Sequence, residues 1–338
     1  MRRRTKVIGT TEKRQDAQDG TKVDIVIGFL GAGKTTLINR MLADGLESER
    51  PIVIENEFGD VSIDGDLLKD SSVSVRTLAS GCICCTLKGD FLTCLQEVVE
   101  DMHPGRIVIE PTGLANLPDM LGVVEGAARR LPCRLSSVTS VVDASCVAEM
   151  LELSGDFYAS QIRDASFIAL THTQGLGAAE LDGAMAAIRK LSPCPVMDVD
   201  AAGGVGGLEV LAASEAALEE GTVPVAATPP AEDHHHHGGH LHAPGGFVSL
   251  SFLPEHAFGE GEIEHMLAAL RKVPTGRVMR AKGFLCREDQ KALEHVELYT
   301  GGALHKPSAY TGEPKLVVIG KELRRDEIER IVGCEART

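Results

Sequence analysis

The sequence predicts an α/β fold with a mainly parallel sheet, followed by a small α+β domain. Three observations carry that reading. From Val23 onward, short apolar runs alternate with stretches of helical periodicity, the pattern of a parallel sheet wrapped by helices. A Gly-rich turn opens directly between the first apolar run and the first helical stretch. Near residue 221 the periodicity stops, and when it resumes at residue 247 the order of elements is different.

In the first domain, strands are expected at Val23–Phe29, Ile52–Glu55, Val73–Leu78, Arg106–Glu110, Ser137–Asp143, Phe167–Thr171 and Val196–Val199. Helices are expected at Lys34–Leu42, Gly89–Met102, Ala144–Leu153, Ala178–Leu191 and Leu208–Glu219. Residues 1–22 read as a polar, flexible arm, so the first domain covers 23–220. The segment GTVPVAATPPAEDHHHHGGHLHAPGG, residues 221–246, is rich in Pro, Ala, Gly and His and reads as a linker. Beyond it, Phe247–Phe252, Ile263–Val273, Val278–Leu285, Ala292–Thr300, Lys315–Ile319 and Arg325–Val332 predict strand, helix, three strands and helix. These make residues 247–338 a second domain, a sheet covered on one face.

Composition limits the partners. The formal charge is −15, which excludes a nucleic-acid or anionic-membrane surface as the expectation. MRRR is followed by the polar TKVIGTTEKRQDAQDG rather than an apolar h-region, and no stretch approaches membrane-spanning length. A soluble cytoplasmic protein is expected, and its nine cysteines should be reduced thiols. Cys94, Cys133, Cys146, Cys194, Cys286 and Cys334 lie singly and read as small buried side chains.

The Gly-rich turn is Gly28-Phe-Leu-Gly31-Ala32-Gly33-Lys34-Thr35-Thr36, a G-x-x-x-x-G-K-T motif in the strand-to-helix context that a P-loop requires. Its glycines let backbone N–H groups curl round phosphate, aided by the positive end of the next helix. Lys34 should reach the terminal phosphates and the Thr35 hydroxyl should bind Mg²⁺. Ile107-Val-Ile-Glu110-Pro-Thr-Gly113 then puts an acid at the end of a buried strand, placed to orient Mg²⁺ or its water. Gly113 is placed to sense the γ-phosphate.

Gly81-Cys82-Ile-Cys84-Cys85 clusters three thiols, soft donors suited to Zn²⁺ or Cu⁺. No second Cys or His pair follows at finger-like spacing, so the site is incomplete, as a transferable metal requires. The segment Glu55-Asn-Glu57-Phe-Gly-Asp60 offers harder ligands. A redox or purely local thiol cluster is the alternative. His234–His237, His240 and His242 lie in the linker, where neutral imidazoles would form a weak, fast-exchanging metal store. A low-complexity loop without function is the other reading.

Taken in order, GFLGAGKTT, IENEFGDVSIDGDLL, GCICCTLKGDF and IEPTGLA resemble the CobW family of P-loop GTPases, metallochaperone relatives of the nickel-insertion GTPases. RVMRAKGFL and KLVVIGKELRRDEIERIVGCEA look like that family's C-terminal domain. The resemblance implies a P-loop NTPase that hydrolyses GTP to deliver Zn²⁺, or Co²⁺ in corrinoid pathways, to a client metalloprotein. It implies that Gly28, Gly31, Ala32, Gly33, Lys34, Thr35 and Thr36 hold phosphate and Mg²⁺. Cys82, Cys84 and Cys85 would hold the metal, with Glu55 and Asp60 as switch ligands, and Glu110 with Gly113 would form the second switch. Homo-oligomerisation is left open. Other readings are an NTP-driven activator of a metalloenzyme and a metal buffer with a weakened nucleotide site.

One family motif is broken. Where Asn-Lys-x-Asp is expected, the chain has Thr171-His172-Thr173-Gln174. A carboxylate that accepts from the guanine ring N–H and exocyclic amine is replaced by the neutral amide of Gln174. Hydrogen bonds to charged groups contribute about 1.5–3 kcal/mol, so guanine preference should fall and ATP becomes an alternative to GTP. His172 takes the place of the family's Lys, where it would stack on the base.

Overall fold

The computed structural model describes residues 20–56, 74–78, 88–221, 242–243, 246–272, 276–288, 293–299, 302–308 and 310–337. The first domain is built on seven parallel strands: β1 (Thr21–Gly28), β2 (Pro51–Asn56), β3 (Ser74–Leu78), β4 (Arg106–Glu110), β5 (Cys133–Asp143), β6 (Phe167–Thr171) and β7 (Val196–Asp198). They lie in the order β3-β2-β4-β1-β5-β6-β7. The helices are α1 (Lys34–Ala43), α2 (Lys88–Glu97), α3 (Leu117–Ala128), α4 (Val147–Arg163), α5 (Ala178–Leu191) and α6 (Gly207–Glu219).

Alternate strand residues feed opposite faces of the sheet. Val26, Val108, Val141 and Ala169 pack with Leu37, Ile38 and Met41 of α1 and Val210 and Leu211 of α6. Ile25, Ile27, Ile107 and Ile109 pack with Phe91 and Leu95 of α2 and Met120 and Val124 of α3. Val142, Ile168 and Leu170 continue that face under α4 and α5. With both faces covered, near-continuous apolar strands are what the sequence must supply.

The amino ends of the strands are pinned by buried charge. Arg106, 1% exposed, donates to Asp24 (2.6 Å), Glu49 (3.0 Å) and Glu215 (2.8 Å). Ser137 donates to Asp24 (2.7 Å) and Ser136 to Glu215 (2.8 Å). The network ties β1, β4, β5 and α6 together. Removing one partner of such a pair costs about 3–5 kcal/mol, because it strands the other charge.

The expected helix Gly89–Met102 runs as α2 to Glu97 and finishes as a π-helical turn over Val98–Met102, and two further helices depart from the sequence reading. The expected helix Ala144–Leu153 begins instead at Val147, because the Asp143 carboxylate accepts from Ser145 N (2.9 Å) and holds a turn there. It then continues past Gly155, whose φ of 52° breaks the helical path. Continuation buries Tyr158 and Ile162 in the core. Helix α3 was not expected at all, since Gly122 and Gly126 dilute its propensity. Asn116 caps it by accepting from Asp119 N (3.2 Å), and Pro118 sits in its first turn.

The second domain is a six-stranded antiparallel sheet of β8 (His242–Ala243), β9 (Phe247–Phe252), β10 (Arg277–Cys286), β11 (Leu293–Tyr299), β12 (Gly302–Pro307) and β13 (Lys315–Lys321). Its order is β12-β11-β10-β13-β9-β8. Strand β12 was not expected, and β8 lies inside the segment read as linker. Helices α7 (Glu262–Leu270) and α8 (Arg325–Val332) cover one face, burying Leu250, Ala281, Leu285, Val296, Leu298 and Val318.

The expectation of a sheet covered on only one face is corrected here. Phe247, Met279, Phe284, Val317 and Ile319 pack from its other face into the cluster that holds Phe29, Leu30 and Tyr158 of the first domain. Phe29 and Phe247 meet at 5.6 Å between ring centroids, and Lys321 donates to Leu153 O at 3.2 Å. Among the described residues, no helix is long and apolar enough to cross a membrane.

Candidate functional site

The site forms where the parallel strands end. Gly28, Glu55, Glu110, Asp143 and Thr171 terminate or nearly terminate β1, β2, β4, β5 and β6. In open parallel sheets, the crevice beyond the strand ends is where ligands bind. Gly31 and Gly33 adopt left-handed φ values of 79° and 98°, which bend the chain between β1 and α1. Ala32 is locked from behind by Thr171 Oγ1, which donates to its carbonyl at 2.8 Å.

Lys34 is buried, and its Nζ donates to the carbonyls of Gly28 (3.0 Å) and Phe29 (3.1 Å) within its own loop. Thr35 Oγ1 donates to Glu110 Oε1 at 2.8 Å, joining the P-loop to the end of β4. Glu55 is 1% exposed and pairs in register with Glu110 across β2 and β4, so two carboxylates stand side by side. Gly113 lies against Leu30 of the loop.

A cavity of about 440 Å³ opens here, lined by Gly31, Gly33, Lys34, Thr35, Thr36 and Glu110 on one side. Thr171, His172 and Asp200 line a second side. The third wall comes from the second domain and includes Arg280, Lys282, His295 and Glu297.

Burial lowers the Lys34 pKa from the ordinary 10.5 to about 8; Glu110 opposes this, while Arg280 and Lys282 push it further down. An arriving triphosphate would stabilise the ammonium and restore its proton. Affinity for a non-hydrolysable triphosphate should therefore hold up to about pH 8 and then fall, by up to about tenfold per pH unit, until the pKa of the complex is reached. Titrations between about pH 7 and 10 check this; a flat profile would show that Lys34 keeps its proton without ligand. Relative to the unfolded chain, the depressed pKa means that stability rises with pH across the same window.

The other predicted residues are placed unevenly. His172 lines the cavity with φ 54°, its N–H donating to Asp200 Oδ2 at 2.7 Å and its ring 5.8 Å from that of Tyr299. Gln174 is exposed, donates weakly to Asp200 O (3.4 Å) and does not line the cavity. Cys82, Cys84, Cys85 and Asp60 lie outside the described residues, as do His234–His237 and His240. Among the described residues, no group of three or more His, Cys, Asp or Glu could hold a metal ion.

Sequence reasoning missed Asp200, Arg280, Lys282, His295 and Glu297. The available signal was period-two alternation in RVMRAKGFL and LEHVELY, which puts charged or polar groups on one face of each strand. Such a face normally meets solvent. Only the docking of the two domains turns it toward the P-loop.

The parallel sheet, the Gly-rich turn between β1 and α1 and the Thr35–Glu110 pair define a P-loop NTPase fold. The chain belongs to the CobW/HypB/UreG nucleotide-binding family, whose model matches residues 22–195, and the CobW C-terminal domain model matches residues 247–334. It is 40% identical over 136 residues to the zinc chaperone CobW of Pseudomonas aeruginosa, covering 37% of this chain and 36% of that protein. It is 34% identical over 166 residues to the zinc chaperone YjiA of Escherichia coli, covering 47% and 51%. It is 30% identical over 188 residues to the zinc-regulated GTPase metalloprotein activator 1 of Schizosaccharomyces pombe, covering 52% and 44%. The matched region thus spans only about a third to a half of each of these relatives.

Proposed function

We propose that this chain hydrolyses a nucleoside triphosphate, GTP in preference to ATP, and uses the cycle to bind Zn²⁺ and deliver it to a client metalloprotein. The observation that carries the nucleotide half is the pairing of Thr35 with Glu110 beneath the Gly28–Thr36 turn, at the mouth of the cavity. A hydroxyl and a carboxylate at 2.8 Å are hard oxygen donors, a set that fits Mg²⁺. Thr35 and Glu110 would hold it, and when bound it supplies charge neutralisation on the β- and γ-phosphate oxygens. Backbone N–H groups of the turn bind the phosphates, and Lys34 leaves the Gly28 and Phe29 carbonyls to meet the terminal one.

The zinc half rests on Cys82, Cys84 and Cys85, with Glu55 and Asp60 as further ligands, and on relatives named as zinc chaperones. Co²⁺ is the alternative cargo. Glu55 supports coupling of the two halves, because its strand partner is Glu110 and it opens the Glu55-Asn-Glu57-Phe-Gly-Asp60 segment that supplies the further metal ligands. GTP is supported by the family; Gln174 in place of a carboxylate weakens that choice and keeps ATP as the competitor.

Coupling is directly measurable. Zinc affinity should differ at least about fivefold between the complexes with a non-hydrolysable triphosphate and with the diphosphate, the lower end of typical coupling between sites. Equal zinc affinities in the two complexes would refute the coupled cycle and leave a nucleotidase beside an independent metal site.

A further inference from the structure

The sheet of the second domain presents two unlike faces. On β10 and β11, Ala281, Leu285, Val296 and Leu298 face α7 and α8. Arg280, Lys282, His295, Glu297 and Tyr299 alternate with them and line the cavity opposite the P-loop, and Lys306 of β12 joins them. The approach is close: a Cβ added at Gly31 would lie 3.0 Å from Tyr299 Cβ.

Two features of this wall call for an anion. The whole cavity is lined by Lys34, Arg40, Arg280, Lys282 and Lys306 against only Glu110, Asp200 and Glu297, although the chain carries −15. An acidic protein that gathers net positive charge in one cavity has the field to draw in a polyanion. In addition, His295 is 5% exposed, its ring lies 5.4 Å from that of Phe284, and among the described residues neither ring nitrogen has a hydrogen-bond partner. Buried polar groups are nearly always paired. Burial also lowers its pKa to about 4, so the ring is neutral near pH 7 and offers one N–H donor.

We propose that the C-terminal sheet is the second wall of the triphosphate site, with Arg280 and Lys282 facing the terminal phosphates opposite Lys34 and His295 donating to a phosphate oxygen. The proposal rests on the nucleotide reading above and adds to it a cation supplied in cis. In the hydrolysis, a water oxygen bonds to the γ-phosphorus as the bond to the β–γ bridging oxygen breaks. That electron pair leaves on the diphosphate, and both protons of the water leave with inorganic phosphate as dihydrogen phosphate. Arg280, anchored through Nη2 to Glu297 Oε1 at 2.9 Å, stands to neutralise the charge that develops on these oxygens.

The test uses the full chain. Arg280→Ala should lower the single-turnover rate on the order of 100-fold, and should weaken binding of a non-hydrolysable triphosphate more than of the diphosphate. Arg280→Lys should recover part of the rate, and Lys282→Ala should behave as a weaker version of Arg280→Ala. In the unaltered protein, the imidazole nitrogen resonances of His295, assigned with His295→Gln, should shift with the triphosphate analogue and not with the nucleoside. A wild type that binds no triphosphate removes the nucleotide reading itself. A wild type that binds and turns over, with unshifted His295 resonances and an Arg280→Ala rate equal to its own, removes this proposal alone.

Discussion

Replacing Cys82, Cys84 and Cys85 together by Ser is expected to weaken zinc binding by at least about a thousandfold, while nucleotide affinity stays within about twofold. The size follows from the donors. Thiolates are soft, anionic and bind Zn²⁺ strongly, whereas a Ser hydroxyl stays protonated near neutral pH and is a poor ligand. The selectivity follows from the proposed phosphate site, whose described lining residues, Lys34, Thr35 and Glu110 among them, include no cysteine. Competition with a chromogenic chelator measures the first quantity and nucleotide titration the second. A triple variant that retains a sub-micromolar site would move the assignment to the His234–His242 tract. Deleting Asp233–His242 in the same background would then have to remove that site. In the wild type, the same deletion should strip only weak, multiple sites.

The parallel sheet was legible because its strands are buried on both faces, so apolar runs such as Ile107–Ile109 have one simple reading. The turn between β1 and α1 was legible because it needs specific residues at fixed spacing, and the structure brings Thr35 and Glu110 to 2.8 Å across a separation of 75 positions. What escaped was of two kinds. Helix α3 hides behind Gly122 and Gly126, and is held by burial of Leu117, Met120 and Val124 rather than by propensity. The cationic wall escaped because Lys282 and His295 sit on strands whose polar faces are indistinguishable, in sequence, from faces that meet water. Their role depends on Phe29, Phe247 and Phe284 docking one domain on the other, a long-range contact that no local pattern encodes.

Gly113→Ala is expected to lower turnover on the order of 100-fold, the cost of displacing a reacting centre by roughly an ångström. Gly113 is absent from the positive-φ residues, so the constraint is space and not backbone conformation. A Cβ there would lie 2.6 Å from Leu30 N, 2.8 Å from Leu30 Cδ2 and 2.9 Å from Leu30 Cα. The side chain of Leu30 could rotate away; its backbone could not, because it is the P-loop itself. Nor is the Gly113 segment free to retreat. Gln161 Nε2 donates to the carbonyls of Gly113 (3.2 Å) and Ala115 (3.0 Å) and ties the segment to α4. The added methyl must therefore push the loop, and with it Lys34 and Thr35, out of line with Glu110. Overpacking of this kind also costs about 1–3 kcal/mol, so the melting temperature should fall modestly. Single-turnover kinetics at saturating nucleotide, read beside a thermal melt, separate misalignment from unfolding. Wild-type turnover with a lowered melting temperature would mean that the β4–α3 connection yields instead, and that the P-loop is held more firmly than its partner.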